Sequence, residues 1–443
     1  MTTRREVVRI LLGVLVFAGV TGWASAERAG SDPAMDWPCF RGPKGDNCSP
    51  LKGIHKDWTN GLTKIWEFGN LAVGKSAMGY AAPVIADGRL IVMGHEPGTD
   101  VVFCLNARSD KPDVLWTTKL AYSGHDLEYG DGAYGTPCID GNRLYTFSNQ
   151  GIVSALNVQD GNVVWTRNLV TEEKSRLPTW GFASSVLVDG DHVILKGTDG
   201  TQALALDKLT GQTAWKTNFG GYSEYSSPVP TRLQGKDEVL FFSCTPGRSG
   251  HYCTALFALD PRTGRPYWSV PAMDVKLVVA TTPLVSNDLV FVTAGVACGS
   301  KVFEIGTDGA KELWSSDVIS ANHFDGAIRD GFIYSVSGDL KRNDNTFKCV
   351  ELRTGKERWS VSKELELGPW NMLSMIQVDG HLICLSSQGK LYLIRPDPSA
   401  FNLLGQFQAI KSDKWICLTG PVIAQGRLYL RAPERLVCYD LLK

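Results

Sequence analysis

The densest set of reactive side chains lies in one loop-like stretch, Gly124-His125-Asp126-Leu127-Glu128-Tyr129-Gly130-Asp131-Gly132-Ala133-Tyr134. His125, Asp126, Glu128 and Asp131 could ligate a divalent metal, and its acids could act as general base and general acid. His323 beside Asp325 offers the same chemistry on a smaller scale. In both places the plainer reading is a solvated loop whose Asp residues accept backbone N–H groups in turns, and it is preferred. His192 and His381 stand at or beside Asp-Gly turns and read as exposed turn residues. The chain has no Cys-x-x-Cys, no adjacent Cys pair and no phosphate-binding Gly loop, and no Ser/His/Asp arrangement can be built from it. No catalytic, cofactor-binding or metal-binding residue is therefore assigned, and no cofactor is expected.

Comparable stretches recur along the chain: Lys75 to Tyr80, Thr179 to Phe182, Tyr222 to Tyr225, Asn322 to Asp325, Pro369 to Asn371 and Asp413 to Trp415. Aromatics mixed with charges suit a protein, peptide or sugar surface. The candidate binding residues are Lys75, Tyr80, His125, Asp126, Glu128, Asp131, Tyr134, Trp180, Glu224, Tyr225, His323, Asp325, Trp370, Asn371, Lys414 and Trp415. They form one site only if the intervening segments bring those loops together.

The intervening segments are copies of one unit. Its clearest part is Ala205-Leu206-Asp207-Lys208-Leu209-Thr210-Gly211-Gln212-Thr213-Ala214-Trp215, repeated at residues 258 to 268 and more loosely before Trp165 and Trp359. Trp66, Trp116, Trp165, Trp215, Trp268, Trp314 and Trp359, with Phe407 in an eighth place, follow one another at 45 to 53 residues. Each unit holds four short β-rich runs separated by turns such as Asp-Gly, the period of a propeller blade. The final unit stops at Leu436 to Lys443, where a turn and a Trp strand should follow. Thr63-Lys64-Ile65-Trp66-Glu67-Phe68 supplies that missing strand. The sequence thus predicts an all-β, eight-bladed β-propeller over residues 63–443, closed by pairing of its N- and C-terminal strands, which removes two open sheet edges. The loops named above would then crowd the mouth of the central channel.

The repeat resembles the tryptophan-docking motif of PQQ-like repeat propellers, the family that holds quinoprotein dehydrogenases and the BamB-like proteins. Trp37-Pro38-Cys39-Phe40-Arg41-Gly42-Pro43 is similar to the N-terminal strap of secreted members. The enzymes of that family use pyrroloquinoline quinone with calcium, an Asp base and, in many members, a vicinal disulfide. With no adjacent Cys pair, that last feature does not carry over. The calcium ligands and the Asp base match no positions. The resemblance instead implies a BamB-like, non-catalytic scaffold with protein or peptide partners in the cell envelope, in the service of envelope or outer-membrane protein assembly. The alternative is a PQQ-dependent alcohol dehydrogenase-like oxidoreductase.

Composition agrees with a well-packed globular body, with 43% hydrophobic and 21% charged residues. A formal net charge of −1 with no basic run leaves no footprint for nucleic acid. Arg4, Arg5 and Arg9, the apolar run Ile10 to Val20 and Ala24-Ser25-Ala26 read as a signal peptide over residues 1–26, too short to be a transmembrane segment. Arg4-Arg5 also resembles a twin-arginine export signal. The mature chain is expected to be periplasmic or extracellular. Residues 27–62 read as an extended strap whose aromatics dock onto the body. Among the 11 Cys, Cys39–Cys48 and Cys244–Cys253 are expected as bridges. Cys104, Cys349 and Cys438 fill a slot that takes Ala in other copies, as small apolar residues.

Overall fold

A computed structural model describes residues 35–443 apart from 123, 125–126, 198–201, 220–224, 247–251, 276–278, 296, 325, 339–344 and 369–371. The expected leader lies outside these residues, as do His125, Asp126, Glu224, Asp325, Trp370 and Asn371.

Eight sheets form the body, each built on four antiparallel strands that are consecutive in the chain except in the last, and the seventh gains Cys48–Ser49 as a fifth, parallel strand at its inner edge. Blade 1 comprises Val84–Ala86, Arg89–Glu96, Thr99–Asn106 and Val114–Ala121. Blades 2 to 7 open with Cys138–Asp140, Leu187–Asp189, Val229–Leu233, Leu284–Ser286, Ala327–Arg329 and Leu373–Val378, and each closes on its Trp- or Phe-bearing strand. Blade 8 joins Val422–Ala424, Arg427–Ala432 and Arg435–Asp440 to Lys64–Phe68, with Trp66 opposite Cys438. The predicted closure is therefore present. Middle strands such as Leu289–Ala294 are buried throughout, whereas outer strands such as Val114–Ala121 alternate between solvent and the next blade. Helix is confined to Leu169–Glu172 among the described residues.

The repeat residues explain how one blade holds the next. In seven copies the Trp lies opposite a small or β-branched residue: Cys438, Cys104, Ala155, Ala205, Ala258, Val302 and Cys349. The Cys of this slot are packing residues, buried as expected. Beside each Trp the register slips, a bulge that turns the indole toward the neighbouring blade. The ring N–H then donates to a carbonyl in that neighbour's turn: Trp116 to Val158 at 3.0 Å, Trp215 to Pro261 at 3.0 Å, Trp314 to Leu352 at 2.8 Å. The exception is Trp268, which bonds Glu238 of its own blade at 3.2 Å, because the facing turn in blade 5, Gly306-Thr307-Asp308-Gly309, departs from the Asp-x-x-Thr-Gly pattern of the clearest copies. The turn glycine has two duties. Gly264 sits at φ +68°, and an added Cβ would lie 2.3 Å from the Trp215 ring.

The strap does more than dock. Asp36 accepts from Asp87 N–H at 3.0 Å and from the Gln425 amide at 2.6 Å, at the hairpin turns of blades 1 and 8. Trp37 exchanges hydrogen bonds with Ile85, and Pro38 O accepts from Ile139 N–H at 2.8 Å. Arg41 then reaches across the channel to Pro283 O at 2.7 Å and Thr282 O at 2.8 Å in blade 5. The chain turns back, and Cys48–Ser49 pairs in parallel with the innermost strand of blade 7. Trp58, 1% exposed, wedges against Phe407 before the closing strand begins. The strap is thus a plug inserted into the channel.

Two expectations are corrected. Cys39 and Cys48 do not bridge; both are free thiols, because the strap carries Cys39 to blade 2 and Cys48 to blade 7. His381 is not exposed: it is 8% exposed, with Nδ1 2.7 Å from Asp379 O across its turn. For the second expected bridge, the Cys253 side chain lies outside the described ones.

The double duty of Gly264 is separable by mutation. Gly264→Ala should lower stability by roughly 3 kcal/mol, combining left-handed strain with the clash on Trp215. Gly141→Ala, at φ +55° with nothing within 4 Å, should cost only about 1 kcal/mol. Urea unfolding of both variants checks this, and equal losses would remove the contact from the account.

Candidate functional site

Because every blade enters its innermost strand from the same face, the residues that open the strands form a collar. Their hydroxyls link blade to blade. Ala82 N–H donates to Thr136 Oγ1 at 3.2 Å, Thr136 N–H to Ser185 Oγ at 3.1 Å, Ser185 N–H to Ser227 Oγ at 2.9 Å and Ser227 N–H to Thr282 Oγ1 at 3.1 Å. Gly420 occupies this position in blade 8 and has no hydroxyl to offer. Above the collar the channel opens into a cavity of about 320 Å³. Trp37, Phe40, Arg41 and Asn47 of the strap line it together with the collar, so it is a cup with a floor and not a tunnel.

The mouth of the cup carries an arc of aromatic rings from successive loops. Trp415, entering blade 8, stacks on Tyr129, entering blade 2, with centroids 5.5 Å apart and planes 13° apart. Tyr129 meets Trp180 at 5.7 Å, and Trp180 meets Tyr225 at 5.7 Å. Tyr80 bridges Trp415 at 6.3 Å and Tyr134 at 5.3 Å. Hydrogen bonds fix the arc: Tyr80 OH to Tyr129 O at 3.2 Å, Trp180 Nε1 to Glu128 Oε2 at 2.7 Å and Trp180 N–H to the Tyr225 hydroxyl at 3.3 Å. Room for Tyr80 depends on Gly79, whose missing Cβ would stand 3.0 Å from the buried Arg431 guanidinium.

The candidates divide clearly. Tyr80, Tyr134, Trp180, Tyr225 and Trp415 come together, and His323 joins the cavity lining. Burial pushes the His323 imidazole down to about 4, so it is neutral at physiological pH. Lys75 and Glu128 lie exposed at the rim, and Lys414 ties loop to loop through Gly74 O at 2.6 Å. Asp131 faces away from the cup: its carboxylate accepts from Tyr122 at 2.9 Å, in a buried network with Gln150 and beside the His95–Asp100 pair. Glu128 and Asp131 are therefore committed to holding loops. Sequence reasoning missed Tyr129 as a central ring and the strap residues Trp37, Phe40 and Arg41 as the floor. The only available signal was their neighbourhood in aromatic-rich stretches.

The described lining of this cup does not suit a calcium-bound quinone. Calcium takes six to eight oxygen ligands, usually including carboxylates, and the described lining offers no Asp or Glu. Its one charged residue, Arg41, is committed to two carbonyls, and Trp37 and Phe40 fill the space beneath.

The family model described as outer membrane protein assembly factor BamB matches residues 58–234, 174–361 and 254–442. The chain belongs to that family. The BamB of Yersinia pestis is 23% identical over 337 residues, covering 73% of this chain and 76% of its own length. Among solved structures, BamB from Moraxella catarrhalis aligns with a TM-score of 0.58 at 17% identity, over 86% of this chain and 97% of the other. A europium-containing methanol dehydrogenase aligns with a TM-score of 0.67 at 13% identity, over 90% and 89%. At those identities the structures establish the shared propeller and no more.

Burial raises the phenols of Tyr80 and Tyr134 above their ordinary value of 10, and pushes Tyr439 to about 12. Protonated in the fold but ionised when unfolded above pH 10, these groups lend stability that is complete below pH 10 and lost as pH rises through 12. The urea midpoint should fall steeply from pH 10 upward. A midpoint unchanged to pH 12 would contradict the burial of these rings.

Proposed function

We propose that the chain is an exported, non-catalytic propeller of the cell envelope that binds a segment of a protein partner across the aromatic arc, as a scaffold in outer-membrane protein assembly. The reading rests above all on the arc itself. Six rings on loops entering blades 8, 1, 2, 3 and 4 present a large, rigid, amphipathic surface at small entropic cost. Beneath it lie neutral hydroxyls and a neutral imidazole, which suit peptide amides better than proton transfer. Family membership supports the same role, since the relatives carry the name of an assembly factor.

Export rests on the Arg-rich start, the apolar run and the Ala24-Ser25-Ala26 site. No helix among the described residues is long and apolar enough to cross a membrane.

A photo-cross-linker replacing Trp415 in native cells should capture a defined envelope protein. Trp180→Ala combined with Tyr129→Ala should reduce that capture at least tenfold, since central aromatic anchors dominate such interfaces. Leu209→Ala, on an outer turn and 63% exposed, should leave it unchanged. Dye-linked alcohol oxidation by the purified chain with pyrroloquinoline quinone and calcium would overturn the non-catalytic reading.

A further inference from the structure

The strap makes the cup's floor, so whatever fixes the strap fixes the floor. Pro38 O accepts from Ile139 N–H at 2.8 Å, which sets Cys39 and Cys138 side by side where the strap crosses blade 2. Both side chains belong to one apolar cluster with Tyr145, Phe147 and Val186; the Cys39 thiol donates to Gly42 O at 3.1 Å, and the Cys138 thiol lies near enough to perturb it. Cys138 is 5% exposed. Cys39 is half-buried and lines a second cavity of about 380 Å³ between the strap and blades 3 and 4. One sulfur is thus approachable and the other stands behind it.

We propose that Cys39 and Cys138 are a disulfide-forming pair that covalently fastens the strap to blade 2 and holds the floor of the cup in place. No other described thiol competes for Cys39. Cys48 is carried to blade 7, where its thiol donates to Asp46 O at 3.5 Å. Cys104, Cys349 and Cys438 are each enclosed opposite a docking Trp.

The chemistry is thiol–disulfide exchange with a small-molecule disulfide such as oxidised glutathione. The neighbouring Cys138 thiol holds the Cys39 thiol below its usual range, while Cys39 and then burial raise that of Cys138. Cys39 is therefore the attacking thiolate. It bonds to one glutathione sulfur and expels the other glutathione as a thiolate, which takes up the proton Cys39 lost. Cys138 then attacks the Cys39 sulfur, expels the second glutathione and passes its proton to that leaving thiolate. Two protein thiols are oxidised and one glutathione disulfide is reduced to two thiols. The closed loop spans nearly two blades, and long loops gain most from such a link.

Formation in the cell rests on the export reading, since disulfides persist in oxidising compartments; the pairing itself does not. The full chain, purified reduced, would be incubated with oxidised glutathione, alkylated, digested and mapped by mass spectrometry. The expected result is one linked peptide joining Cys39 to Cys138, a melting temperature several degrees above the reduced form and slower proteolysis of the strap. Cys138→Ser should abolish all three, and Cys48→Ser should keep them. Complete alkylation of Cys39 and Cys138 after oxidation, or a Cys39–Cys48 peptide, would overturn the pairing in the wild-type chain, whatever the variants do. If the link forms in vitro while protein from native cells carries both thiols free, the pairing stands and the export reading falls.

Discussion

The contact between a docking tryptophan and the turn glycine of the next blade governs this structure. A four-stranded blade cannot bury both its faces by itself. Its outer strand sends an indole sideways, and the neighbour receives it on a turn stripped of a Cβ. Each buried ring contributes roughly 2–3 kcal/mol, but only when a neighbour exists. An open row would always leave one ring without a seat and one turn without a ring. Closure resolves that, and it explains why the chain starts blade 8 with the segment around Trp66 and returns to it some 370 residues later. The ends must meet before the last blade is complete and Trp66 can reach blade 1, so the ring is stabilised as a whole.

Closure leaves a second problem at the centre. The innermost strands are edges, with unpaired backbone groups facing the channel. The chain answers in two ways. At the collar, a hydroxyl from each successive blade takes the neighbour's N–H, from Ala82 round to Thr282. Below the collar the strap lends its own backbone, to Ile85, Ile139 and Gln377 in blades 1, 2 and 7. The floor of the cup is thus a by-product of pairing edge strands, and the strap's aromatics point into space that a bare ring would leave to water.

The ring was legible in the sequence because its determinants are local and repeated. Period, turn glycine, small slot and tryptophan recur within one unit, and the lone strand at Trp66 matches a gap at residue 443. The strap was read as a docking segment, but its path across the channel was not legible, because its contacts join Trp37 to Ile85 and Arg41 to Thr282 with no repeated pattern linking them. Cys39 and Cys48 looked like partners from their short separation, yet a turn of the strap sends them to opposite sides of the channel. The aromatic loops were recognised as a group, and the plainer reading of the acids among them, as residues of the loops themselves, was the preferred one. Asp131 and Glu128 look reactive in a sequence, but a loop that must hold its rings still needs acceptors, and these two serve that need.

That division of labour limits what the cup can do. Its walls are built from the residues that open each blade, and their donors and acceptors are largely used in joining one blade to the next. A side chain whose hydroxyl already accepts a neighbour's N–H has little freedom to move a proton. Arg41, the one charge in the described lining, is bound to two carbonyls and cannot swing toward a ligand without unseating the floor. Variation without cost to the ring is left only to the loops above the collar, which carry rings and rim charges. The interior thus acts as the rigid support that keeps the arc of rings in register.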